Sequence, residues 1–165
     1  MEKNSIQFLQ SGLIEIVEGS GTPKFPYHTH NSFLIGVIKE GEAHLTIEKK
    51  EYFLSEGMTY LVPSNIGMSI NPVTPYSYLT ICLRGELKEQ IEQYNIDNYV
   101  LQFIGDKISL LCNQFKSDRK EASFLNALIK TLNLQKIEQK VISDKRSSPI
   151  VEEAVNYINE QICID

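Results

Sequence analysis

Two of the chain's three histidines stand two residues apart, in Phe25-Pro26-Tyr27-His28-Thr29-His30. On an extended strand that spacing sends both side chains to one face, so two imidazoles are presented together. Such a pair can grip a metal ion, move a proton, or exchange hydrogen bonds with a carboxylate, sugar or phenol. Without a carboxylate, two imidazoles make a weak metal site whose charge stays unneutralised. His44, the third, falls on the polar side of its own strand and is not a ligand candidate. For acid–base work no second titratable group is placed beside the pair, and no Ser/His/Asp or Cys/His order is visible. Two readings of His28 and His30 stay open: pocket-mouth residues bonded to backbone or water, or contacts to a bound small molecule. Phe25 and Tyr76 are further aromatic candidates for a pocket wall, and the set expected to touch a ligand is Tyr27, His28, His30, Phe33, Tyr60, Met68 and Tyr78. No catalytic residue, metal ligand or cofactor is assigned.

These side chains need elements to hold them, and up to Arg84 the pattern is of short strands between turns. Glu42 to Glu48 is the cleanest alternation, with Ala43, Leu45 and Ile47 facing one way and Glu42, His44, Thr46 and Glu48 the other. Ile14 and Ile16 flank Glu15, Ser32 to Lys39 is dense in Phe, Leu, Ile and Val, and Met58 to Val62 stops at Pro63. Ile66 to Ile70 and Tyr76 to Leu83 complete the set, with Asn71-Pro72 and Thr74-Pro75 as punctuation. About seven to nine such strands, with turns every ~8–12 residues and no βαβ alternation, predict a sandwich or barrel.

After Gly85 the period changes from 2 to 3.6. Leu87, Ile91 and Tyr94 share one helical face, and Ile104, Ile108, Leu111, Cys112 and Phe115 share another. From Asp118, read as an N-cap, a third stripe runs through Ala122, Leu125, Leu128, Ile129 and Leu132. Three amphipathic helices exceed what a β domain of about 80 residues can cover, so Leu125, Leu128, Ile129 and Leu132 are expected to form a homodimer seam. Residues 137–147 look like a linker. Ser148-Pro149 then opens a further helix, with Ser as cap, Pro at the first helical position and Glu152 and Glu153 in the first turn. Its apolar face, Val151, Ala154, Val155, Ile158 and Ile162, has nothing after Asp165 to cover it, which suggests the start of a truncated domain.

Composition bounds the function. The 165 residues, 42% of them hydrophobic, can bury one sizeable core. A net charge of −5 leaves no clustered Lys/Arg surplus, so this segment is not expected to grip nucleic acid by itself. Cys82, Cys112 and Cys163 are scattered and odd in number, which fits reduced thiols rather than a disulfide framework or a zinc site. The N-terminus has no apolar h-region, and no apolar run nears the ~20 residues of a membrane span, so a cytoplasmic protein without membrane partners is expected.

Three segments carry a resemblance. Phe25 to His30 leading into Phe33 to Glu42, and Gly57-Met58-Thr59-Tyr60-Leu61-Val62-Pro63, look like the facing halves of a cupin barrel. With Pro149 to Glu160 following, the chain resembles the AraC family of bacterial transcription regulators over essentially its whole length. The resemblance implies an α+β chain: a cupin-like antiparallel β-barrel, or jelly roll, over residues 1–84, and a helical dimerisation region over 85–136. A linker over 137–147 would lead to the first helix of a truncated helix-turn-helix domain over 148–165. It also implies a small-molecule effector, a homodimer, and contact with DNA only through the missing C-terminal domain. Ligand entry would alter how an N-terminal arm, Met1 to Gly12, or the helices dock. The alternative is a stand-alone metal-dependent cupin enzyme, a dioxygenase or isomerase, using His28 and His30. Such an enzyme typically adds a Glu a few residues on and a His on the facing strand. Leu34 and Ile35 stand in the first place, and Met68, a poor ligand in an oxygen/nitrogen site, at or near the second.

Overall fold

Alternating apolar residues build the strands, and the computed structural model describes residues 3–137. The helix expected over 148–165, and the linker beyond Ile137, lie outside the described residues. Nine strands come first: β1 (Ser5–Ser11), β2 (Ile14–Gly21), β3 (Phe25–His28), β4 (Phe33–Glu40), β5 (Ala43–Ile47), β6 (Lys50–Leu54), β7 (Thr59–Val62), β8 (Met68–Pro72) and β9 (Tyr76–Leu83). Then follow α1 (Gly85–Ile91), β10 (Tyr94–Asn95), β11 (Val100–Leu101), α2 (Gly105–Asp118), α3 (Glu121–Thr131) and β12 (Gln135–Lys136).

Among the described residues the strands form open antiparallel sheets, and no sheet closes into a barrel. A six-stranded sheet runs β1-β2-β9-β4-β7-β11 and a four-stranded one β3-β8-β5-β6, with β10 and β12 as a separate pair. This corrects the expected β-barrel. The ladders stop for local reasons. Pro26 in β3 has no N–H to donate, and the β3–β8 register shifts between Phe25 and His28, which suits β3 to an edge. Lys50 and Glu51, both exposed, put charge on the other edge strand, β6. The segment expected as an arm is instead β1, paired with β2 from Ser5↔Ser20 to Ser11↔Ile14 around a turn at Gly12, whose φ is 59°.

Because side chains alternate, the six-stranded sheet buries two faces. Ile14, Ile16, Phe33, Ile35, Leu79 and Ile81 point one way and pack against the helices. Leu34, Tyr60, Val62, Tyr76 and Tyr78 point the other way and meet Ala43, Leu45, Ile47, Met68 and Ile70 of the smaller sheet. The helices lie across the first face through Leu87 and Ile91, through Ile108, Cys112 and Phe115, and through Phe124, Leu125 and Leu128. Phe115 and Phe124 stack at 4.7 Å between α2 and α3.

Here the expected dimer seam is corrected. Leu125, Leu128 and Leu132 are 1%, 0% and 4% exposed within a single chain, and Ile129 packs against the same cluster. The stripe is core because the six-stranded sheet offers a wide apolar face that takes all three helices. Asp118 ends α2 rather than opening α3, although its carboxylate accepts the Lys120 N–H at 2.9 Å in the turn between them. Tyr94, expected on the first helix, is in β10, since α1 stops at Ile91. Among the described residues, no helix is long and apolar enough to cross a membrane.

Candidate functional site

The face that the six-stranded sheet turns toward the smaller sheet is incompletely filled. Between them lies a cavity of ≈ 460 Å³. His28, His30, Tyr60, Met68 and Tyr78 all line it; Tyr27 and Phe33 do not. Phe33 is one residue out of step with Leu34, so it points to the helices. Tyr27 is excluded by the irregularity in β3. Phe25 and His28 both reach the cavity although three residues apart, which a regular strand forbids and the register shift between them permits. Tyr27 is left 61% exposed, its ring lying over Gly67.

Two glycines let the tyrosines lie flat across the sheet. Tyr60 sits over its cross-strand partner Gly36, and Tyr78 over Gly19, where a Cβ would collide with either ring. Tyr78 meets Phe25 edge-on at 5.9 Å, which carries the aromatic wall to the facing sheet. Burial pushes the Tyr60 phenol up to about 12, with a hydrogen bond to Thr80 opposing it, and burial also raises Tyr78.

The imidazoles touch. Nε2 of His28 lies 2.6 Å from Nε2 of His30, and Nδ1 of His28 lies 2.5 Å from the Pro26 carbonyl oxygen. A carbonyl can only accept, so Nδ1 of His28 carries a proton. With both rings neutral, His30 Nε2–H then donates to His28 Nε2. Among the described residues, no group of three or more His, Cys, Asp or Glu comes together to hold a metal ion.

Five polar residues absent from the expected set also line the cavity: Gln10, Glu15, Ser32, Thr80 and Arg84. Arg84 Nη2 and Glu15 Oε2 form an ion pair at 3.3 Å. Ser32 is 1% exposed, and its Oγ has no hydrogen-bond partner among the described residues. Parity was the available signal: Tyr78, Thr80, Cys82 and Arg84 share a face, as do Glu15 and Val17, and Ser32 and Leu34. Register orders them along the strands. Val17 pairs with Thr80 and Phe8, Glu15 with Cys82 and Gln10, and Ser32 and Arg84 lie one step past the Phe33↔Leu83 pair. The cavity is therefore polar toward Arg84 and apolar toward Tyr78.

The polar end is tied to the far side of the molecule. Asn65 N–H donates to the His30 carbonyl at 2.8 Å. Its neighbour Ser64 donates N–H and Oγ–H to Glu92 Oε1 at 3.0 and 2.5 Å. Next to Glu92, the Gln93 carbonyl accepts the Ile137 N–H at 2.9 Å, and Tyr94 pairs with Lys136.

The family described as AraC-like ligand binding domain matches residues 14–153. No curated protein matches the chain. Among solved structures, AerE from Microcystis aeruginosa aligns over 60% of this chain and 47% of its own, at 14% identity and a TM-score of 0.51. That likeness concerns the fold alone. A conserved protein of unknown function from Streptococcus pyogenes aligns over 51% of this chain and 76% of its own, at 22% identity and a TM-score of 0.48. A cupin superfamily protein from Desulfitobacterium hafniense aligns over 50% of this chain and 79% of its own, at 20% identity and a TM-score of 0.48.

Proposed function

Because the chain belongs to the AraC-like ligand-binding domain family, we propose that it is the effector-sensing part of an AraC-type transcription regulator acting in the cytoplasm. A small molecule enters the cavity between the sheets and controls helix-turn-helix units, the first of which residues 148–165 resemble. The observation that carries this is the preformed cavity of ≈ 460 Å³, apolar at one end and polar at the other. The metal-dependent enzyme is the weaker reading, since it asks for a third ligand beside His28 and His30 and none groups with them among the described residues.

A sensor must also pass its state on, which requires that the ligand bind two arrangements unequally. The path from the His30 carbonyl through the neighbours Asn65 and Ser64, then Glu92 and Gln93, to Ile137 supports such a link, because its hydrogen bonds and peptide bonds join a cavity residue to the segment leading to residues 138–165. Pairing of two copies belongs to the same reading, with a seam other than Leu125, Leu128, Ile129 and Leu132.

A thermal-shift screen of sugars, aromatic acids, bile-like acids and lipids tests the effector role. At 100 times its dissociation constant, a true ligand adds about 2.7 kcal/mol of stability. Val17→Phe, which fills the cavity, is expected to abolish that gain while the protein stays folded. A screen without a hit, or a hit indifferent to Val17→Phe, counts against the proposal.

A further inference from the structure

The cavity's own chemistry narrows what it takes, on the reading that it is the effector site. We propose that its ligand is an amphipathic molecule with an uncharged hydroxyl or carbonyl head, seated head-first against Ser32 between Glu15 and Arg84, its apolar body over Val17, Ile70 and Tyr78.

The head follows from two observations. Ser32 lines the cavity, and its Oγ is buried with no hydrogen-bond partner among the described residues; a buried hydroxyl without one is destabilising, so a ligand atom that donates or accepts there is favoured. Beside it, Glu15 and Arg84 already neutralise each other at 3.3 Å. A carboxylate head would meet Arg84 only by facing the Glu15 carboxylate, and an ammonium head would face the guanidinium. Either brings a third charge out of water with no counter-charge left for it. An alcohol or ketone meets no such cost. Polyols suit the polar end but strand their remaining hydroxyls against the apolar walls.

The body follows from the opposite end. Phe25, Val17, Ile70 and Tyr78 form a continuous apolar wall, and Ile6 and Phe8 on β1 stand at the open side, 54% and 65% exposed. An apolar body laid there would cover surface that water now wets. At roughly 30 Å³ for a group the size of water, the ≈ 460 Å³ cavity holds about fifteen heavy atoms.

Isothermal titration of the full chain with four probes of about that size tests the assignment: 1-decanol, decanoate, decyltrimethylammonium and glucose. The alcohol is expected to bind at least tenfold more tightly than any of the other three. Ser32→Ala is expected to weaken the alcohol about tenfold, the loss of one buried hydrogen bond. Glu15→Gln, which removes the carboxylate charge beside Arg84, is expected to raise decanoate affinity and leave decanol little changed. Thermal melts confirm that each variant is folded. Preferred binding of decanoate, decyltrimethylammonium or glucose overturns the head-group assignment, as does indifference of the alcohol to Ser32→Ala. Binding of none overturns it too, whereas the effector role falls only if the broad screen is also empty.

Discussion

At the scale of single residues, the cavity wall depends on large side chains laid on small ones. Tyr60 is buried over Gly36, and its phenol reaches a value of about 12 against an ordinary 10.0, chiefly because burial disfavours the phenolate. Between those values the folded chain keeps a proton that the unfolded chain gives up. Its contribution to stability is therefore complete below pH 10 and is lost as pH rises toward 12. For a group this buried the loss amounts to about 2 to 3 kcal/mol, with Tyr76 and Tyr78 adding in the same direction. Urea melts of wild type and Tyr60→Phe at pH 8 and pH 11 check it: the substitution is expected to flatten the alkaline decline, and equal declines would count against Tyr60 as its source. His28 and His30 teach something different. Their spacing pointed to chemistry, yet the rings bond to each other and to Pro26, which makes them a hydrogen-bonded part of the wall.

At the scale of elements, α3 shows how one stripe answers to two readings. Leu125, Leu128, Ile129 and Leu132 have the spacing of a dimer seam and equally of a face packed on a sheet, because period alone does not say what lies opposite. Their burial within one chain decides it. Leu128→Ala is accordingly expected to cost about 2 to 5 kcal/mol of folding stability. A shifted urea midpoint with unchanged sedimentation supports that account, whereas a stable protein with altered oligomeric state would restore the seam. The loop before β8 makes a second case. Glu92, at the end of α1, accepts both hydrogen bonds from Ser64. Glu92→Ala is expected to cost about 1 to 3 kcal/mol by orphaning them, and to speed amide hydrogen exchange at Ser64. Unchanged protection there would mean that the loop is held by other contacts.

At the scale of the whole molecule, the two sheets do unequal work. The six-stranded sheet spends one face on the helices and leaves the other to share with the smaller sheet, so the cavity is walled by strands whose reverse sides are core. Strand positions, the strong alternation of β5, and the change of period near Gly85 were legible in sequence because each is a local property. The parity that puts Leu34 in the cavity and Phe33 under the helices was half legible: alternation separates the two but does not say which face holds a ligand. Glu15 and Arg84 were equally plain as charges, yet nothing local indicates that β2 and β9 pair in a register that brings them together. From local pattern alone came most of the strands from β2 to β9, the presence of helices after Gly85, the family, and side chains able to line a pocket; β1 and the short strands after α1 did not. Only the tertiary structure decided that the sheets stay open, that the leucine stripe is core, and that one end of the cavity is polar. Each of those depends on which strands and faces meet, and contacts between residues distant in sequence leave no trace in local periodicity.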